Sequence, residues 1–521
     1  MAVLLLIGFV LPSACNCIFG YSTVVQLAES VVFALLPVCI ILRLPWKIAR
    51  MVFFTLIFVG VVFEMAHVMV YRGDLATAGY VRSLFMTTPY EAEGALGRVI
   101  KQHCAEIILI AIYYCLTVIC IFLWDYPTEV AKRTTRVTMA ATIVIILAGR
   151  LTTKDYMRKH VLYCPPYNIF CHFAEAARQT RERDKLVATV PDKRTITVRT
   201  APRESPNEAI YMIIIDESLR ADRLSLNGYM RSTTPRLETL DNLVNYTNYY
   251  ATGVFTMYAV PMLLTRATPA EFSLNYTDIT IQEVFRQAGY QTVWLTNSAQ
   301  LVNDGVSGYI ARGADTIINV SRDMEMADAV QSLLRNDKKI FAVLHLWGSH
   351  QFYYNESPAT SRYSPDVLST DAVIGDDIYN NSYDNTVLYT DSLLFALNRI
   401  MCEYEGEAAA MFLSDHGEGP IGKYGGAHGY TRPHKSEYHV PLLIWYNAEY
   451  ASAYKQKTDN LSKHKDAPVS ADHVFWSALD MADIQIDSTL QKDGMSVFGD
   501  TLLPHRRTLL LSDGRSVMML D

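Results

Sequence analysis

Beyond residue 171 the chain holds a single cysteine, Cys402. A metal site built on thiolates therefore has no support in the larger part of the molecule. Charge is also in short supply. The formal net charge is −7 over 521 residues, so nothing points to nucleic acid as a partner. The chain opens "MAVLLLIGF", with no basic stretch ahead of its first apolar run, which argues against a cleaved signal peptide. No internal repeat is present, and after about residue 153 no long hydrophobic run remains.

Apolar residues make up 50% of the chain and crowd into its first third. Stretches at 2–20, 24–42, 51–71, 105–124 and 137–153 are candidates to cross a bilayer, which takes roughly 20 residues of helix. The last is the weakest, because Arg150 interrupts it. "RLPWKIAR" (43–50) and "TEVAKRTTR" (128–136) are short and basic, so they are expected on the cytoplasmic side. Five spans would then put the N-terminus inside, the 72–104 loop outside, and everything after 153 across the membrane. In a bacterium that compartment is the periplasm.

Six of the nine cysteines lie in or beside these runs, where they serve as small apolar fillers. Cys164 and Cys171 bracket "PPYNIF" and can close a small disulfide loop in an oxidising compartment. The 80–96 segment has helical spacing after Pro89, as an interfacial helix would. From 154 to 207 the chain turns polar, with "EAARQTRERDK" (175–185) on an amphipathic helix. Its basic face can rest on anionic headgroups or simply face water. The expected domains are a membrane part, 1–153, a linker, 154–207, and a globular part, 208–521.

In the globular part short β-rich runs recur at 209–215, 291–296, 339–346, 408–414 and 440–446. Helical segments such as 281–289 and 326–336 lie between them. That alternation predicts an α/β domain with a mostly parallel central sheet covered on both faces. Ligands of such sheets gather beyond the carboxyl ends of the strands. There the chain places Asp216 and Glu217, then Asn297, then His345 and His350, then Asp415, His416 and Glu418. Carboxylates with imidazole suit zinc or a similar divalent ion. Each strand-end acid taken alone reads more often as a turn or helix cap than as a ligand. Thr256, in "GVFTMYAVP" (253–261), has no acid or base within three positions. It is either an N-cap or a hydroxyl that a metal sharpens for attack at a helix N-terminus.

"DESLRADRLSLNGYMRSTTPRL" (216–237), "TMYAVP" (256–261), "FLSDHGE" (412–418) and "AHGYTRPHKSEYHVPLLIW" (427–445) together resemble the bacterial phosphoethanolamine transferases. These include the lipid A-modifying enzymes of the alkaline phosphatase/sulfatase superfamily. The resemblance extends to the membrane anchor and to "TTPYEAEGAL". It implies an alkaline-phosphatase-like fold behind a five-span α-helical bundle. It also implies that Glu217, Thr256, Asp415 and His416 hold a catalytic zinc ion, with Thr256 as nucleophile. His350 and His428 match histidines that contact the phosphoryl group or a second metal, and His345 matches another pocket histidine. Where lipid A-type members often carry a lysine, "LTNSAQ" offers Asn297; where several carry a cysteine after the "SVP" proline, Met262 stands.

The implied activity moves phosphoethanolamine from phosphatidylethanolamine to lipid A, lipopolysaccharide core or another periplasmic glycan. The implied setting is a monomer in the bacterial inner membrane. A sulfatase proper needs Cys or Ser in C/S-x-P-x-R, which is absent. A glycerol-phosphate transferase of the lipoteichoic acid synthase type shares the five-span plan, the metal and the threonine, but the Asn-Gly-Tyr segment and "TMYAVP" argue against it. A non-catalytic envelope-binding protein has no need of a full ligand set, and here every expected ligand is present.

Overall fold

The computed structural model describes residues 1–71, 74–87, 96–97, 99–125, 129–152, 164–165, 167–188, 196–200, 208–297, 310–335, 338–350, 353, 361–369, 375–422 and 425–520. Most of "TTPYEAEGAL" lies outside them, as does Pro89. The chain divides into two compact units, Met1–Thr180 and Arg181–Asp521.

The first unit is helical: α1 (Ala2–Ile18), α2 (Val24–Arg43), α3 (Lys47–Val70), α4 (Ala78–Met86), α5 (Cys104–Leu123), α6 (Glu129–Thr152) and the start of α7 (Asn168–Ala188). Thr23 and Gln26 form a capping box at the start of α2, which fixes where that helix begins. Phe54, Phe58 and Tyr114 stack between α3 and α5, with ring centroids 5.3–5.8 Å apart. Among the described residues three helices, α2, α3 and α5, are long and apolar enough to cross a membrane, where the sequence predicted five. The other two fall short for different reasons. α1 has only 17 residues, and α6 opens on Glu129, Lys132, Arg133 and Arg136. The predicted Cys164–Cys171 loop is not closed either; neither cysteine is in a disulfide. Cys164 instead accepts a hydrogen bond from the Ser30 hydroxyl at 3.4 Å, and Cys171 is already wound into α7.

The second unit is α/β. In chain order its main elements are β1 (Ala209–Asp216), β2 (Leu243–Tyr246), α8 (Thr256–Leu263), α9 (Ile281–Gln287), β3 (Gln291–Thr296), β4 (Thr316–Asn319), α10 (Glu325–Leu333), β5 (Lys339–His345), α11 (Asp376–Cys402), β6 (Glu407–Ser414), β7 (Leu442–Tyr446) and α12 (Val474–Met481). The seven strands lie in the order β2-β7-β6-β1-β5-β3-β4. Side chains alternate along β1: Tyr211, Ile213 and Ile215 enter a core packed by α8, α9 and α12. Ile210, Met212 and Ile214 enter the opposite core, packed by α10 and α11. Both faces are dry, so the strand reads as one continuous apolar run.

The sheet is mixed rather than mostly parallel. β6, β1, β5, β3 and β4 are parallel neighbours, whereas β7 pairs antiparallel with both β6 and β2. A parallel return would need a crossover, usually a helix. Between Ser414 and Leu442 the described chain forms only the four-residue helix Lys435–Tyr438. It therefore stays at the carboxyl edge and re-enters the sheet from the end where β6 finished. The edge strands β2 and β4 were not expected from the sequence; each is only four residues long.

Candidate metal and phosphoryl-transfer site

The carboxyl edge gathers most of the predicted residues. Asp216 is the last residue of β1, and its carboxylate turns back to accept the Glu217 N–H at 2.9 Å. Glu217 thereby leaves the strand end with its side chain directed across the edge. Next door, β6 ends at Ser414, so Asp415 and His416 follow at the same level. Ligand atoms of Glu217, Asp415 and His416 all lie within 4.8 Å of one another, and all three residues are buried.

Thr256 is the first residue of α8; Phe255, whose side chain makes no capping bond, occupies the cap position. A capping role for Thr256 is thereby set aside. Its hydroxyl donates instead to Glu217 Oε1 at 2.8 Å and lies 3.3 Å from His416 Nε2. Nucleophile candidate and ligand set thus meet, though 39 residues separate Thr256 from Glu217 and 160 separate it from His416.

His345, the last residue of β5, brings Nε2 to 3.8 Å from Glu217 Oε2. His428 packs its ring 4.1 Å from that of His416, and its Nδ1 lies 3.0 Å from Glu418 Oε1. His350 follows β5 on a turn whose N–H groups at Trp347 and Gly348 donate to the buried Asp323 carboxylate at 2.9 and 3.0 Å. Asn297 directly follows β3, whose last residue Thr296 pairs with His345. The sequence offered no reason to single out Asp323. Gly348 is required by shape: at φ +55°, a Cβ there would come within 1.6 Å of Asp216 Oδ1. Glu418 stood in "DHGE" but had no assigned partner; His428, ten residues on, supplies it.

The electrostatics fit a cation. Burial works against the Glu217 charge, but the adjacent imidazoles of His345 and His416, and charge from His416 and His350, outweigh it and hold the carboxyl well below its usual range. Burial, then repulsion from Glu217, pushes Asp415 up to about 6. Burial opposes a charged His416, yet Asp415 and Glu217 raise it to about 10. Burial and the neighbouring His416 lower His428, against an opposing pull from Glu418. Two fully buried carboxylates outnumber the one imidazole charged between them, an excess that is costly unless further positive charge sits there. Among the described residues Asp415 Oδ2 is buried with no hydrogen-bond partner, 3.5 Å from His416 Nε2, as suits a metal-ligating oxygen. Two carboxylates, an imidazole and an adjoining hydroxyl form a donor set suited to a tetrahedral divalent ion.

The chain is similar to several known proteins. The sulfatase family model matches residues 210–484. A putative transferase of Escherichia coli K12, YhbX, is 29% identical over 413 residues, covering 74% of this chain and 71% of the relative. The phosphoethanolamine transferase EptA of the same organism is 26% identical over 295 residues, 53% of each chain. Among solved structures, the lipooligosaccharide phosphoethanolamine transferase EptA from Neisseria meningitidis shares the fold at a TM-score of 0.71. It is 18% identical, over 95% of this chain and 96% of that one. The periplasmic domain of Escherichia coli EptC in complex with Zn aligns at 0.55 with 22% identity, over 64% of this chain and 96% of that domain. The strand-end site lies inside the matched segment, which spans more than half of the sequence, and the chain belongs to the sulfatase family, within the alkaline phosphatase superfamily.

Proposed function

We propose that the chain is a membrane-anchored, zinc-dependent phosphoethanolamine transferase that works through a covalent Thr256 intermediate. The observation that carries this reading is the placement of Thr256 Oγ1, 2.8 Å from Glu217 and 3.3 Å from His416 at the start of a helix. Glu217, Asp415, His416 and Thr256 would hold the ion. When bound, it supplies positive charge that depresses the pKa of the threonine hydroxyl and offsets charge on the phosphoryl oxygens.

The residues then divide the work. Glu217 accepts the Thr256 hydrogen bond and aims its oxygen. That oxygen attacks the phosphorus of phosphatidylethanolamine; the bond from phosphorus to the glycerol oxygen breaks, and diacylglycerol leaves with a proton. With Glu418 accepting the Nδ1 proton of His428, Nε2 is left to take a proton and then hand it on. His350, His345 and Asn297 line the approach for the phosphoryl group and headgroup. An acceptor hydroxyl or phosphate oxygen then attacks phosphorus and frees Thr256. The acceptor is lipid A, lipopolysaccharide core or another envelope glycan.

The apolar helices 1–153 anchor the enzyme in the bacterial inner membrane, and the 154–207 linker holds domain 208–521 in the periplasm. This placement is supported by the likeness to the periplasmic domain of Escherichia coli EptC. Anchoring keeps the enzyme beside lipid substrates and raises their effective concentration. The relatives named phosphoethanolamine transferase support the chemistry. The test incubates the purified chain with phosphatidylethanolamine bearing a fluorescent acyl chain. Wild type should release labelled diacylglycerol, and Thr256→Ala should lose at least about 1,000-fold in rate, as expected when a covalent nucleophile is removed. Release at the wild-type rate by Thr256→Ala would overturn the mechanism.

A further inference from the structure

The backbone between two of the proposed ligands is strained. Ser218, directly after Glu217, has φ +61°, a left-handed conformation that costs a residue with a Cβ. Its N–H donates to Asp415 Oδ1 at 3.2 Å, so this residue ties one carboxylate ligand to the other. Its carbonyl accepts the Tyr383 hydroxyl at 2.8 Å. The same hydroxyl oxygen accepts the Arg220 N–H at 2.8 Å. Tyr383 comes from the middle of α11, is fully buried, and packs edge-on to Tyr353 at 5.1 Å. One phenol thus closes the turn on both sides. Relaxing Ser218 to negative φ would swing its N–H away from Asp415 and shift Glu217 relative to it.

The geometry points to Tyr383 as a positioning residue: it holds Ser218 in the left-handed conformation and thereby sets the separation of Glu217 and Asp415 for a divalent cation. Tyr383 acts through the backbone alone. The inference rests on the metal-site reading above, and the test separates the two.

Zinc affinity is measured on the full chain in detergent micelles, stripped of metal, by competition with a chromogenic chelator. Tyr383→Phe should weaken zinc binding about tenfold or more, the range seen when the partner of a metal ligand is removed. Adding Ser218→Gly should restore most of that loss, since glycine adopts positive φ without penalty. Ser218→Val keeps the phenol but resists positive φ, and should weaken binding as Tyr383→Phe does. Tyr450→Phe removes another buried hydroxyl, which donates to the Met481 carbonyl at 3.0 Å on the opposite face of the sheet, and should leave affinity unchanged. Wild-type affinity in Tyr383→Phe or Ser218→Val, or no rescue by Ser218→Gly, overturns the inference while the metal site stands. Failure of the wild type to bind zinc overturns the metal-site reading and this inference with it.

Discussion

At the scale of single residues the site is legible where strand ends carry chemistry. Glu217, Asp415 and His416 directly follow apolar runs, so the sheet's geometry delivers them together without further information. Thr256 was harder. Its local sequence suits a cap as well as a nucleophile, and only the fold brings Glu217 to within 2.8 Å. The Glu418–His428 pair was not readable, because both stand in irregular chain with no periodicity to place them. That pair yields an expectation: Glu418→Gln keeps the shape but removes the charge that fixes Nδ1. Its kcat should fall about 10–100-fold with little change in KM, as for a misoriented acid or base; steady-state kinetics on labelled phosphatidylethanolamine measure both.

A second residue-scale expectation concerns pH. Burial, reinforced by nearby His505, lowers His473 to about 4. Its Nδ1 accepts the Ser470 N–H at 3.2 Å, which suits a neutral ring. The unfolded chain takes up this proton near pH 6.5, whereas the folded state refuses it until about 4. Stability from this group is therefore whole above about pH 6.5 and is lost as pH falls toward 4, up to about 3 kcal/mol. The thermal midpoint of the wild type should drop more between pH 7 and pH 5 than that of His473→Asn. Equal drops would place the acid sensitivity elsewhere.

Among elements, the five strands expected from β-rich runs all form, within two residues of the sequence boundaries. Their burial on both faces makes each run conspicuous. The short edge strands β2 and β4 lack such runs, and β2 has buried and partly exposed positions in alternation. The direction of β7 was not legible because it depends on what the 415–441 loop does, not on the strand itself. That loop stays at the edge to carry His416, Glu418 and His428, and its packing is tight. Gly429 has φ +83°, and a Cβ there would meet the Phe255 ring at 2.2 Å. Phe255 precedes Thr256, so the crowding would pass to the proposed nucleophile. Gly429→Ala should cost about 1–3 kcal/mol of stability and lower turnover beyond what the lost stability explains. A variant with unchanged melting and turnover would show that the contact does not set the position of Thr256.

For the whole molecule, the sequence separated an apolar amino-terminal part from an α/β part, and the structure has a helical unit followed by an α/β unit. The number of spans was overcounted because apolar runs were judged without helix boundaries. α1 is too short, and the helix containing the last run begins within a basic segment. Acceptor choice leaves no comparable mark in the chain. In the proposed mechanism the donor half-reaction is different, since it leaves its group on Thr256.

That adduct is the most direct test of the account. Purified wild-type chain, mixed with phosphatidylethanolamine in the absence of acceptor and quenched in acid, is digested and analysed by mass spectrometry. A phosphoethanolamine increment on the peptide containing Thr256, absent in Thr256→Ala, is the expected result. Release of diacylglycerol with no modified Thr256 peptide, or the same increment on another residue, would contradict it.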